Sequence, residues 1–147
     1  MNDINATEIL LVEDNADDLE MALRALRKAN LTNRIQVVRD GVEALEFVFC
    51  EGAYAGRKIS SIPKLILLDL KLPRLDGHDV LKRIKGDQRT KLIPVVILTS
   101  SKEQRDVIES YQLGVNSYIV KPVDFAGFLT AVGELGMYWL LLNQPPK

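Results

Sequence analysis

The sequence predicts an α/β fold: a doubly wound, five-stranded parallel sheet of (βα)5 order with an extended C-terminal helix. Three observations carry this. Three short apolar runs, ILLV at 9–12, LILL at 65–68 and VVIL at 95–98, are continuous rather than alternating, as in strands buried on both faces. Amphipathic stretches of helical period separate them, and strand alternating with helix implies right-handed βαβ crossovers. The chain has 147 residues, a length suited to one domain with its own core.

The elements follow in order. The run at 9–12 gives the first strand. Leu19, Ala22, Leu23 and Leu26 then recur at helical spacing behind Asp17 and Asp18, whose charges suit a first helical turn. IQVVR at 35–39 is a weaker second strand, and Val42, Leu45 and Val48 mark a helix after Asp40-Gly41. The glycine- and proline-bearing segment from Gly52 to Pro63 reads as a surface loop. After the strand at 65–68, Val80, Leu81 and Ile84 mark a third helix. After the strand at 95–98, Val107, Ile108 and Tyr111 mark a fourth, shorter one. SYIV at 117–120 is the fifth strand. Phe125, Phe128, Leu129, Val132 and Leu135 open a fifth helix running to about Leu142, ahead of the tail NQPPK. A single domain spanning 1–147 is expected, with its core at about 7–135 and an extension and tail at 136–147.

Composition excludes several function classes. Lys plus Arg is 19 against 20 Asp plus Glu, so the net charge of −1 exerts no general pull on nucleic acid or anionic membrane. One cysteine, Cys50, and one histidine, His78, leave no disulfide framework and no multi-histidine or cysteine metal site. The N-terminus carries no basic segment ahead of its short apolar run, and no stretch is long enough to span a bilayer. A cytoplasmic protein is expected.

In an open parallel sheet, ligands bind beyond the carboxyl ends of the strands. Strand one ends in Glu13-Asp14, strand three in Asp69, strand four in Thr99-Ser100 and strand five in Lys121-Pro122. Taken singly, Asp14 or Asp69 reads as a helix N-cap, Thr99 as another, and Lys121 as a solvated loop residue. Taken together, three carboxylates, a hydroxyl and an ammonium converge on one sheet edge. Clustered carboxylates raise one another's pKa unless a cation joins them. Oxygen ligands without His or Cys favour a hard cation, Mg2+ before Zn2+. One carboxylate could then attack phosphorus, with Lys121 and the Thr99 hydroxyl compensating charge on the acyl phosphate.

The stretches ILLVEDN (9–15), LILLDLKLPRLDG (65–77), PVVILTSS (94–101) and SYIVKPVD (117–124) resemble the receiver domain of two-component response regulators, and the spacings among Asp69, Thr99 and Lys121 agree. The resemblance covers essentially the whole chain. The segment from Phe125 through Tyr138-Trp139 is similar to small stand-alone receivers that partner bacterial phytochrome histidine kinases. The resemblance implies a flavodoxin-like fold with Asp69 as phosphoacceptor. It implies metal ligation by Asp14, by Glu13 directly or through water, by Asp69 and by the Lys71 backbone carbonyl. Thr99 would move onto the phosphoryl group, Lys121 would pair with it, and Tyr118 would turn inward as Thr99 shifts. The Lys121-Pro122 bond would be cis. A phosphohistidine on the partner kinase would be the donor, Mg2+ the cofactor, and the face of helix four, strand five and helix five the switched surface. The chain would be a phosphoprotein rather than an enzyme. Two departures stand out: the acidic pair is Glu-Asp rather than Asp-Asp, and Lys71 sets a cation beside the site.

A phosphatase of the haloacid-dehalogenase type also uses an Asp nucleophile, Thr or Ser, Lys and acidic metal ligands. It wants a second Asp two positions after the nucleophile, where this chain has Lys71, and a cap domain. A flavodoxin-like mononucleotide binder needs a phosphate loop after strand one, and EDNADD would repel phosphate. A P-loop nucleotidase needs G-x-x-x-x-G-K-[ST], which is absent. A pseudo-receiver serving only for docking is opposed by Asp69, Thr99 and Lys121 all being present. His78 reads as a solvated helix residue and Cys50 as a half-buried structural cysteine. The apolar run Met137 to Leu142, with Tyr138, Trp139 and Leu142, suggests a homodimer patch. No DNA-reading module follows, so output through protein contact or onward phosphotransfer is expected.

Overall fold

The computed structural model describes residues 8–28, 34–59, 61–101, 103–122, 124, 126–128 and 130. The strands are β1 (Ile9–Val12), β2 (Ile35–Val38), β3 (Leu65–Asp69), β4 (Val95–Thr99) and β5 (Ser117–Val120). The helices are α1 (Ala16–Lys28), α2 (Gly41–Phe49), α3 (Gly77–Lys85) and α4 (Gln104–Gln112). All strand pairs are parallel, in the order β2-β1-β3-β4-β5. The chain therefore crosses over itself between β2 and β3, and the sheet's switch point lies between the carboxyl ends of β1 and β3.

Burial follows the expected pattern. Every residue of β1, β3 and β4 is buried, whereas the edge strands β2 and β5 are only partly so. Alternation along each strand divides the core in two. Ile9, Leu11, Leu65, Leu67, Val96 and Leu98 meet Ala22, Ala25 and Leu26 of α1, together with Phe128. Leu10, Val12, Ile66, Leu68, Val95 and Ile97 meet Ala44, Phe47 and Val48 of α2 and Val80, Leu81 and Ile84 of α3. Removing a side chain as large and fully buried as Phe47 costs about 3–5 kcal/mol.

Helix starts are set by caps. Asn15 Oδ1 accepts from Asp18 N at 2.9 Å at the head of α1, Asp40 Oδ1 from Glu43 N at 2.7 Å at α2, and Asp76 Oδ1 from His78 N at 2.9 Å at α3. The capping work thus falls to Asn15 and Asp76 and leaves Asp14 and Asp69 free for other chemistry. Gly77, the first residue of α3, lies against the end of β3. A Cβ there would meet the Asp69 carbonyl oxygen at 2.4 Å and Leu70 Cα at 2.7 Å, so only glycine allows this approach.

The helices marked by Val42, Leu45 and Val48 and by Val107, Ile108 and Tyr111 form as α2 and α4, while the expectation for His78 needs correction. The buried stripe of α2 is Ala44, Phe47 and Val48, with Val42 and Leu45 only partly buried. On α4, Ile108 and Tyr111 face outward at 47% and 48% exposure, and the buried residue is Ser110. The inward side of α4 is polar because it meets His78 of α3. His78 is not a solvated residue: its Nε2 lies 3.0 Å from Ser110 Oγ, its Nδ1 lies 3.5 Å from Glu109 Oε2, and its side chain is 15% exposed. The Ser110 hydroxyl donates to the Asp106 carbonyl at 2.8 Å, so His78 Nε2 is the donor of the His–Ser bond.

The segment from Gly52 to Pro63 is more than a surface loop. It opens with a 3-10 turn at Gly52–Tyr54, and Tyr54 packs edge-on against Phe47 at a ring separation of 5.0 Å. Arg57 is buried over the Phe47 ring, 4.0 Å from its centroid, and donates to the Phe47 and Ser61 carbonyls. Cys50 is half-buried, as expected, and ends α2 in the left-handed region at φ 57°. Residues 126–128 and 130 are helical where the fifth helix was expected. Phe125, Leu129, Val132, Leu135 and the proposed patch at Tyr138, Trp139 and Leu142 lie outside the described residues.

Candidate functional site

The site grows from the switch point. β1 runs out at Val12, and the next two residues part: Glu13 turns inward, 1% exposed, while Asp14 faces solvent. β3 ends on Asp69, itself 4% exposed. Glu13, Asp14 and Asp69 each bring a carboxylate oxygen within 4.8 Å of the others. Pairing of β1 with β3 in register, Val12 beside Leu68, produces this approach.

Lys121 enters from the end of β5, where its N–H donates to the Thr99 carbonyl at 2.7 Å and its peptide bond to Pro122 is cis. Its Nζ lies 2.7 Å from Glu13 Oε1, 2.9 Å from Asp69 Oδ2 and 2.9 Å from Asp18 Oδ2, and its side chain is 9% exposed. Burial alone would lower the ammonium pKa, but the bonds to Glu13, Asp18 and Asp69 outweigh it and raise the pKa above the ordinary lysine value. Glu13 shows the opposite balance. Burial is the largest influence, the Lys121 hydrogen bond opposes it and the Asp69 charge adds to it, so the carboxyl is pushed up to about 7.

Thr99, the last residue of β4, is fully buried, and its Oγ1 accepts from Ser101 N at 3.2 Å. Tyr118 is half-buried on β5, where it pairs with Ile97 of β4. Its hydroxyl donates to the Ser101 carbonyl at 3.1 Å, so the ring is held over the β4–α4 connection, and burial raises its pKa. Ser101 Oγ in turn donates to Asp106 Oδ2 at 2.6 Å on α4. The Lys71 N–H donates to Asp69 Oδ1 at 3.2 Å, and among the described residues no hydrogen bond engages its carbonyl oxygen.

The fold thus brings together Glu13, Asp14, Asp69 and Lys121, with Lys71 in the adjoining connection after β3, Thr99 at the end of β4 and Tyr118 on β5. The donor set suits a divalent cation: three carboxylates, one of them solvent-facing, carry more negative charge than Lys121 can offset, and no nitrogen or sulfur ligand joins them. Sequence reasoning missed three contributors. Asp18 reads in the sequence only as a charge in the first turn of α1, although its position four residues past Asp14 places it one turn along the helix from the site. Ser101 and Asp106, five apart across the head of α4, gave no sequence signal. A cavity of about 360 Å³ runs along β5, with Tyr118, Val120, Pro122, Asp124, Gly127 and Thr130 among its lining residues.

Among the described residues no helix is long and apolar enough to cross a membrane. The family model for the response regulator receiver domain matches residues 9–133. The probable methanogenesis regulatory protein FilR2 of Methanothrix harundinacea is 43% identical over 139 residues, covering 94% of this chain and 86% of that protein. Response regulator Rcp1 of Synechocystis sp. is 39% identical over 132 residues, 90% of this chain and 88% of its own length, and its Mn2+-bound crystal structure superposes with a TM-score of 0.76. The bacteriophytochrome response regulator AtBRR superposes with a TM-score of 0.82 at 50% identity, covering 94% of this chain and 98% of that one. With the flavodoxin-like strand order, the carboxylate cluster at its switch point and these matches in agreement, the chain belongs to the response regulator receiver domain family.

Proposed function

We propose that this protein is a response regulator that takes a phosphoryl group from a partner histidine kinase onto Asp69. The observation that carries the reading is the convergence of Glu13, Asp14, Asp69 and Lys121 within hydrogen-bond and ligand distance at the sheet's switch point. The Asp69 carboxylate attacks phosphorus in line; the new P–O bond forms as the P–N bond to the kinase histidine breaks, and the imidazole leaves. Glu13, Asp14, Asp69 and the Lys71 carbonyl would hold Mg2+, which when bound offsets the charge on the transferring oxygens. Lys121 holds Asp69 in place beforehand and pairs with the phosphoryl group afterwards. Thr99 supplies a hydroxyl from the neighbouring strand end.

The added charge, roughly −1.5 to −2, biases the Thr99–Ser101–Tyr118 contacts and with them the α4–β5 face. This makes the chain a signalling protein of the cytoplasm rather than a catalyst of other substrates. The likeness to AtBRR favours a bacterial phytochrome as the kinase, and the apolar run Met137 to Leu142 favours a homodimer. Output then runs through protein contact.

Phosphotransfer from an autophosphorylated, radiolabelled bacteriophytochrome kinase tests the reading. Label should pass to wild-type protein and not to Asp69→Asn. Transfer to Asp69→Asn, or steady release of phosphate from unrelated phosphate esters as a phosphatase would give, would refute it.

A further inference from the structure

Lys121 has three ammonium protons, and three carboxylate oxygens from Glu13, Asp18 and Asp69 lie within 2.9 Å of it. No donor is left for a phosphoryl oxygen. If Asp69 accepts a phosphoryl group, as proposed above, Lys121 can bind it only by releasing a carboxylate.

The three partners are not equivalent. Glu13 is 1% exposed, and its second oxygen accepts from Asn15 N at 3.2 Å; releasing it would strand a buried carboxylate without its cation. Asp69 carries the incoming group and stays where it is. Asp18 is different. Its side chain is 32% exposed and lies in the first turn of α1, where water and the helix N-terminal dipole accept a negative charge readily. Among the described residues, Lys121 is the only partner of the Asp18 side chain.

We infer that Asp18 is a positioning residue for phosphoryl acceptance: the exchangeable counter-ion of Lys121, surrendered when a phosphoryl oxygen takes its place. Asp18 holds the ammonium against Asp69 in the resting protein and competes with the phosphoryl group for it. The exchange also uncouples the head of α1 from the end of β5, since the Asp18–Lys121 pair joins the two.

The test is the rate of phosphoryl uptake from acetyl phosphate with Mg2+, followed by intact mass. The proteins compared are wild type, Asp18→Asn, Asp18→Ser, Asp17→Asn and Asp69→Asn. Asp17 shares the helical turn and the charge of Asp18 but makes no contact with Lys121, so it controls for simple repulsion of the donor. Removing the competitor should speed uptake by about two- to fivefold in both Asp18 variants, the scale of a partly exposed ion pair, and leave Asp17→Asn at the wild-type rate. A structural lesion would slow uptake instead. Asp18 variants no faster than wild type, or an equal acceleration in Asp17→Asn, would overturn the inference. Absence of uptake by wild type, or undiminished uptake by Asp69→Asn, would instead overturn the reading of the site, and this inference with it.

Discussion

If Glu13 helps to hold the proposed divalent cation, metal binding should be sensitive to pH near neutrality. Its carboxyl is pushed from the ordinary 4.5 to about 7, chiefly by burial and with the Asp69 charge adding to it, even though Lys121 donates to it. A proton therefore occupies this carboxylate below pH 7 and would have to leave before a cation could enter. At pH 8 that proton is nearly absent. At pH 6 about nine sites in ten hold it, so the apparent affinity for Mg2+ should be about tenfold weaker than at pH 8. The same shift bears on stability. The folded state keeps a proton that the unfolded chain has lost, so between pH 4.5 and 7 the metal-free protein loses stability as pH rises. The loss amounts to about 3 kcal/mol, is complete once pH passes the folded-state value, and is offset by Mg2+ binding. Calorimetric titration with MgCl2 at pH 6, 7 and 8 and constant ionic strength measures both the affinity and the proton released. Glu13→Gln should bind more weakly but with no pH step, whereas His78→Asn, which alters the only imidazole, should keep the step. A flat affinity from pH 6 to 8, or an unchanged step in Glu13→Gln, would refute the reasoning.

Gly77→Ala places a Cβ 2.4 Å from the Asp69 carbonyl oxygen, against backbone that cannot yield, so α3 must lift from β3. Thermal unfolding should show a cost of about 1–3 kcal/mol, and phosphoryl uptake at Asp69 should fall; an unchanged melting midpoint would count against the packing described. Asp40→Ala removes both the cap on Glu43 N and the 3.0 Å pair with Arg74. Urea denaturation should show a loss of about 1 kcal/mol, most of it from the cap because the Arg74 side chain is largely exposed. If the run Met137 to Leu142 joins two copies, sedimentation of wild type should depend on concentration and that of Trp139→Asp should not. Identical monomeric behaviour of both would dismiss the patch.

The strands were legible because β1, β3 and β4 are buried on both faces, and a strand so buried shows an unbroken apolar run. The clustered carboxylates were legible for a related reason: Glu13-Asp14 and Asp69 close apolar runs, and one topology sends those strand ends to one edge. Side-chain roles that depend on a partner element were not. The apolar residues Ile108 and Tyr111 mark α4 in the sequence but do not tell its contacts: both are exposed, and the helix meets α3 through Ser110 and His78. His78 sits among polar neighbours in sequence, and its partners are more than 30 residues away. Arg57 lies in the segment that reads as a surface loop, but the aromatic face of Phe47 and two carbonyls take it into the core. Asp18 was seen as a charge suited to a helix start, and nothing in its local sequence points to a lysine 103 residues on.

Asp69, braced by Lys121 and flanked by Glu13 and Asp14, is proposed to accept a phosphoryl group with the help of a divalent cation, and intact-mass measurement after incubation with acetyl phosphate tests this. Wild-type protein should gain the mass of one phosphoryl group with Mg2+ and none with EDTA, and Asp69→Asn should gain none. A modified Asp69→Asn protein, or a wild-type protein unmodified by acetyl phosphate with Mg2+ present, would contradict it.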